Sequence, residues 1–349
     1  MSELRNILAD TVDRLLTDLV ERPTLETAEG GDWPQDLWHG LTDAGLTQPL
    51  VPEDQGGVGA VWGDAFEVLH AAGRHAAPVP LAETIVAGWL LSRSGLEVPQ
   101  GAMTLAPVRP DERLSLTKSG TLDGAARRVP WGSQARHVVA LAQADDGLRV
   151  VRIEGGSAAV EDGENMARET RSDLGFDATP VADAAPAGAG ITAETIWHLG
   201  AMVRSAQMAG ALARLLADSV AYANDRVQFG RPIGKFQAIQ QQLAELAGES
   251  AAAAAAAEAA FHAADRGTAA FEIAAAKIRT GEAAGIGARI AHQVHGAIGF
   301  TYEHHLHYLT RRLWSWRSEF GSEKHWAERL GRAVAGRGAD ALWADVTAR

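Results

Sequence analysis

The residues of this chain most suited to chemistry lie in two stretches of its second half. "RVQFGRPIGKFQAIQ", residues 226–240, sets Arg226 at the end of one helical pattern, then a Gly-Arg-Pro-Ile-Gly break, then a second helical pattern rich in glutamine. A guanidinium fork matches a phosphate bidentately, and Gln228, Gln237 and Gln240 add neutral donors and acceptors, so this elbow could clamp an anion. A helix–helix turn with a solvated arginine is the plainer reading, and on these residues alone it is the better one. The second stretch, "AHQVHGAIGFTYEHHLHYLTRRLWSW", residues 291–316, ends a helix at glycines that bare backbone N–H groups, and it carries five histidines within sixteen residues. His292 and His295 share a helix face. No carboxylate stands at ligand spacing beside them and H-E-x-x-H is absent, so no metal site is expected. Trp314 and Trp316 read as core packing.

The elements that must position these residues follow from periodicity. Leu4, Ile7, Leu8, Leu15 and Leu19 fall at helical spacing. Further helices are expected over 33–44, 62–73 and 81–94, with the Gly/Pro-rich "GLTQPLVPEDQGGVGA" between them. From residue 102 the texture changes to short, partly alternating runs ("AMTLAP", "RLSLTKSG", "ARHVVALA", "LRVVRIE") that read as strands. The Ala/Gly/Pro-rich "PVADAAPAGAGIT" reads as a linker. Long helices then resume, including the alanine-rich "ESAAAAAAAEAAFHAA", because alanine is the best helix former. The expected organisation is mainly α with a small β domain: an N-terminal helical domain over 1–101, a middle β domain over 102–188 and a C-terminal helical bundle over 189–349.

Bulk composition limits the function. The 349 residues carry a net charge of -12, which argues against nucleic acid, whose phosphates need a basic face. Cysteine is absent, excluding disulfides, thiolate catalysis and cysteine metal sites. No apolar run is long enough to span a bilayer. The N-terminus reads as an amphipathic helix rather than a targeting peptide, so a cytoplasmic protein is expected.

"RVQFGRPIGKFQAIQ", followed about fifty residues later by "QVHGAIGFTYEHHLH", resembles the acyl-CoA dehydrogenase family of flavoproteins. The early loop is similar too, with Gly45, Pro52, Glu53, Gly56, Gly57 and Gly59 at the family's positions. The three motifs keep their order across nearly the whole chain. The resemblance implies the family's fold and an FAD shared across a subunit interface. Arg226 would reach the FAD pyrophosphate of a neighbouring subunit, with Gln228, Phe229 and Gln237 beside it. Gln293 and the backbone around Gly296 would fill a second FAD-contact motif. The implied reaction oxidises an acyl-CoA to its 2,3-enoyl form: a carboxylate removes the α-proton and FAD accepts the β-hydrogen.

The departures from the family are as informative. Phe320 occupies the usual position of the catalytic glutamate, and Gly200 occupies the alternative one. Glu319 is one residue away, which on a helix redirects a side chain by roughly 100°; Glu323 lies three beyond Phe320. In the β domain, "LAPVRPDE" has lost a Gly-Ser pair that lines the flavin, and Val129-Pro130-Trp131 stands in for Trp-Ile-Thr, where proline offers no N–H. The chain is also short for the family, through a trimmed β domain. These features are similar to the shorter subunit of heterotetrameric (α2β2) members that act on steroid side chains and other bulky acyl-CoAs. Three functions stay open: the subunit lacking a base in a heteromeric acyl-CoA dehydrogenase; a self-sufficient homo-oligomer using Glu319 or another carboxylate; and a binding or scaffold relative without flavin.

Overall fold

Leucine spacing decides which way the first helix faces. In the computed structural model, which describes residues 3–267 and 269–347, α1 (Glu3–Leu19) buries Leu8, Val12 and Leu16. Leu4, Leu15 and Leu19 flank that stripe, whereas Ile7, expected on it, points to solvent and Val12 takes its place. Next comes α2 (Arg22–Glu29), which the sequence reading did not anticipate. Pro23 sits in its first turn, where a missing N–H costs nothing. The helices α3 (Gln35–Asp43), α4 (Trp62–Arg74) and α5 (Leu81–Arg93) complete the first region.

A mixed sheet follows: β1 (Met103–Ala106), β2 (Leu114–Leu116), β3 (Thr121–Pro130), β4 (His137–Ala144), β5 (Gly147–Glu154), β6 (Ala159–Glu161), β7 (Arg171–Pro180) and β8 (Asp183–Pro186). Its order is β6-β7-β3-β2-β4-β5-β8, with β1 lying parallel to β4. Leu114, Leu122, Val138, Val151, Ile153 and Phe176 are among the residues of its own core. The segment expected as a linker is partly strand: Asp183–Pro186 pairs antiparallel with Arg149–Arg152.

The remainder is a helical bundle of α6 (Thr195–Asp225), α7 (Gln237–Asp265), α8 (Ala270–His295), α9 (Leu306–Trp316) and α10 (Glu323–Arg337), with α11 (Ala339–Thr347) after it. The alanine-rich run lies inside α7, and its small side chains Ala253, Ala257 and Ala260 are fully buried. α4 crosses α6 at two glycines. A Cβ on Gly73 would run into the Gln207 carbonyl, and one on Gly210 into the His70 carbonyl. This close crossing ties the N-terminal helices to the bundle.

Candidate active site and cofactor-contact elements

The elbow after α6 is a two-stranded ribbon, β9 (Val227–Gln228) against β10 (Arg231–Pro232). Its turn residues Phe229 and Gly230 have φ of +50° and +77°, as a type I′ hairpin requires. Glycine accepts that conformation freely; phenylalanine does not, and Phe229 is in addition 92% exposed. Arg226 is pinned through its backbone: its N–H donates to the Tyr222 carbonyl at 2.9 Å, and its own carbonyl accepts from Ile233 N–H at 2.8 Å. Its side chain is exposed and has no ion-pair partner among the described residues. Arg231 instead lies over the Phe236 ring, 4.3 Å from its centroid.

Gln228, Gln237 and Gln293 are exposed, and Gly296, at φ +63°, ends α8 and opens a 3-10 turn over Gly296–Phe300. Tyr222, one turn before Arg226, stacks on His295 with ring centroids 4.5 Å apart. That contact joins the ends of α6 and α8. Arg226, Gln228, Phe229, Gln237, Gln293 and Gly296 therefore crowd one end of the bundle, and their donors face outward. The histidines between them are used internally. His295 Nδ1 bonds the Ala291 carbonyl at 2.8 Å, His292 Nε2 meets Thr310 Oγ1 at 3.3 Å, and His305 meets Asp218 at 3.0 Å. Burial, with His305 beside it, pushes His304 down to about 4. Among the described residues no three His, Asp or Glu side chains converge as a metal site.

Phe320 and Gly200, the two positions that the resemblance marks for a base, come together in space. Phe320 follows α9 at φ +52°, and its ring lies against Gly200 on α6, so that a Cβ on Gly200 would collide with the ring. Trp326 Nε1 donates to the Phe320 carbonyl at 2.9 Å and holds this turn. An apolar ring thus packs on a glycine at the two positions that the family resemblance marks for a base.

Glu319 is turned the other way, into a buried charge network. Its Oε1 accepts from Arg171 Nε at 2.8 Å and Asn165 Nδ2 at 3.2 Å, and its Oε2 accepts from Arg204 Nε at 2.8 Å. Arg204 continues to Glu83 on α5 and to Gln207. Arg171 continues to Glu169, which also pairs with Arg312 at 3.0 Å and accepts from Trp316 Nε1 at 3.2 Å. Burial alone would raise the Glu319 carboxyl, but Arg171 and Arg204 hold it well below the ordinary carboxylate range. A carboxylate so committed to two guanidinium groups is a poor proton acceptor, although it borders the cavity in front of Phe320. Behind the network, Lys277 Nζ donates to the Trp316 and Arg317 carbonyls at 3.1 and 2.7 Å, and burial pulls it down to about 7.

A cavity of about 670 Å³ opens in front of Phe320, between the sheet and the bundle. Its sheet side comprises Val108–Asp111 and the end of β3, the two stretches that depart from the family's flavin-lining motifs. At and beside the end of β3 several backbone donors are engaged. Arg127 N–H donates to Glu112, Arg128 N–H to Asp173 at 2.6 Å, Trp131 N–H to the Thr170 carbonyl at 2.9 Å and Gly132 N–H to Val129 at 3.2 Å. Pro130 has no N–H to give. The end of β3 therefore offers few backbone donors to the carbonyls of a flavin ring. The exposed Arg226 and Gln228, by contrast, fit a diphosphate presented from outside the chain.

Three-part architecture of this kind, helical region, sheet and bundle, with an outward cationic ribbon, is that of a flavoprotein dehydrogenase. Residues 2–99 match the family model described as acyl-CoA dehydrogenase, N-terminal domain, and residues 187–335 match acyl-CoA dehydrogenase, C-terminal domain. The chain belongs to the acyl-CoA dehydrogenase family. It is 29% identical over 317 residues to acyl-CoA dehydrogenase IpdE2 of Mycolicibacterium smegmatis, covering 89% of this chain and 93% of that one. Its fold is similar to a chain of the ChsE4-ChsE5 complex from Mycobacterium tuberculosis, with a TM-score of 0.88, 24% identity and coverage of 96% and 98%. It is also similar to a Tcur3481-Tcur3483 steroid ACAD variant, with a TM-score of 0.85, 25% identity and coverage of 96% and 98%. Among the described residues no helix is long and apolar enough to cross a membrane.

Sequence reasoning missed the charge network. One signal was available: Arg204 interrupts the otherwise apolar run "GAMVRSAQMAGAL", where an unpaired cation could not be buried. Its partners Glu83 and Glu319 lie 121 and 115 residues away in the chain and carry no local motif.

Proposed function

We propose that this chain is the subunit without a catalytic base in a heteromeric, FAD-dependent acyl-CoA dehydrogenase, the partner being a second, dissimilar chain of the same family. The observation that carries this reading is the Phe320–Gly200 contact, which occupies both positions for the base, with Glu319 locked beneath it. The pairing in the Tcur3481-Tcur3483 steroid ACAD supports the same reading and suggests a bulky, steroid-like acyl group. FAD, when bound, supplies the two-electron acceptor for oxidation of the Cα–Cβ bond of an acyl-CoA. Arg226 holds the pyrophosphate of the flavin seated in the partner, with Gln228, Phe229, Gln237, Gln293 and the Gly296 backbone around it. The ribbon fixes the backbone of Arg226 before the partner arrives, so the ordering that opposes binding is confined to its side chain. The base that removes the α-proton comes from the partner.

The test is acyl-CoA desaturation by the chain purified alone, by a base-bearing chain of the same family from the same genome, and by the two co-expressed. Activity only in the co-expressed pair, lost when that second chain's base is replaced, is expected. Desaturation by this chain alone would overturn the reading.

A further inference from the structure

Arg226 and the Gln293–Gly296 stretch sit at the ends of different helices, and no hydrogen bond or ion pair among the described residues joins the Arg226 ribbon to the Gly296–Phe300 turn directly. Their spacing is set one and two turns back along α6. Asp218, Tyr222 and Arg226 recur every four residues, so they share one side of the helix as it runs into the ribbon. The helical hydrogen-bond pattern reaches Arg226 itself, whose N–H donates to the Tyr222 carbonyl. The Tyr222 ring stacks on His295, the last residue of α8, at 4.5 Å with 28° between the planes. His295 packs at 4.7 Å on His304, and His304 stacks at 4.4 Å on His305. His305 Nε2 then returns to Asp218 Oδ2 at 3.0 Å, while Arg214 Nε holds the other oxygen of Asp218 at 2.8 Å. The contacts Tyr222–His295–His304–His305–Asp218 therefore begin and end on α6. The segment they anchor at both ends, from His295 to His304, carries the Gly296–Phe300 turn. That turn is packed tightly: a Cβ on Gly299 would lie 3.0 Å from both the His295 Cβ and the Leu306 side chain.

Two donor groups held at a fixed separation meet a diphosphate without first being ordered, whereas two independent helix ends would each have to be. We infer that Tyr222 and Asp218 are positioning residues for flavin binding, which set the separation of Arg226 from the Gln293–Gly296 end of α8 so that both meet one pyrophosphate. This rests on the reading above that those groups contact the partner's flavin. Neither positioning residue touches the flavin itself. Tyr222 acts through the face of its ring, since its hydroxyl makes no hydrogen bond among the described residues. Asp218 acts as a tether, sharing its two oxygens between His305 of the anchored segment and Arg214 of its own helix.

FAD titration of the flavin-stripped assembly, with thermal melting beside it, tests the assignment. Tyr222→Leu keeps an apolar side chain but no flat ring, and is expected to weaken FAD binding about tenfold. Tyr222→Phe keeps the stack and is expected to bind FAD as the wild type does. Asp218→Ala is expected to weaken binding about threefold. Because Tyr222 acts through Arg226, the effect of Tyr222→Leu is expected to shrink to about threefold or less when Arg226→Ala is already present. An effect of Tyr222→Leu that is equally large in both backgrounds makes the residue a general support of the fold and overturns the inference. A Tyr222→Phe assembly as weak as Tyr222→Leu moves the role to the hydroxyl and overturns it too. If Tyr222→Leu does not fold, Asp218→Ala decides, and wild-type FAD affinity in that variant overturns the inference. Weakened FAD binding in Arg226→Ala, with Tyr222→Leu and Asp218→Ala both at wild-type affinity, overturns this inference alone and leaves the proposed function standing. Wild-type affinity in Arg226→Ala as well overturns both.

Discussion

Replacing Glu319 with glutamine separates a structural carboxylate from a catalytic one. In the native chain Glu319 neutralises two buried guanidinium groups at 2.8 Å each, and Arg204 and Arg171 are themselves almost fully buried. The glutamine keeps one acceptor oxygen but turns an N–H₂ group and no charge toward the second arginine. Stranding a buried charge costs about 3–5 kcal/mol, but Arg171 keeps Glu169 and Arg204 keeps Glu83, so a loss of about 1–3 kcal/mol is expected here. Glu319→Gln is therefore expected to lower the unfolding free energy by an amount in that range, read from denaturant titration, while turnover per bound flavin stays within a factor of about two, since no proton passes through this residue. The pH dependence has a definite sign. The folded carboxyl is depressed below its ordinary 4.5, so its stabilisation is fully present above that value and is lost as pH falls through the lower folded value. The gap between wild type and variant should be constant near neutrality and close only in acid. A stable, flavin-replete Glu319→Gln assembly whose turnover fell about 100-fold or more would make Glu319 the base and refute this reasoning.

Arg226→Ala is expected to weaken flavin binding to the assembly by about 1.5–3 kcal/mol without changing the melting temperature of this chain, measured by flavin-release titration; unchanged affinity would make Arg226 a solvated turn residue. Gly200→Ala forces a methyl group into the Phe320 ring and should destabilise the chain by about 1–3 kcal/mol in a thermal or chemical melt. Lys277 is held near 7 in the fold against an ordinary 10.5, so between those values the unfolded chain binds more protons and stability rises with pH, by at most about 1.4 kcal/mol per unit. Lys277→Met should remove that rise, and an identical pH profile in wild type and variant would show that Lys277 is charged throughout.

The helical regions were legible because their apolar residues repeat cleanly and their ends carry Gly and Pro. The sheet was legible only in part. β3 and β7 escaped because their pairing is irregular, with register shifts between Leu122 and Gly124 and between Ala126 and Val129 that break the two-residue alternation. β7 also turns Arg171 and Ser172 inward, so a buried position reads as polar. Asp183–Pro186 hid in a linker-like composition because an edge strand tolerates proline. At the site, the vacancy at 320 and 200 could be counted along the chain, but its meaning could not. That Phe320 and Gly200 touch, and that Glu319 is already committed to Arg171 and Arg204, depends on contacts over more than a hundred residues of sequence. The elbow's donors were visible as residue types; the ribbon that aims them needed the unusual backbone of Phe229, which no local preference foretells.

The central claim is that this chain serves a flavin it does not hold in its own cavity. Counting flavin by absorbance against each chain's concentration tests it most directly. The account predicts essentially no flavin on the chain purified alone and one flavin for each pair of dissimilar chains in the active assembly. A yellow homo-oligomer with one flavin per copy, desaturating an acyl-CoA without any partner, would contradict it.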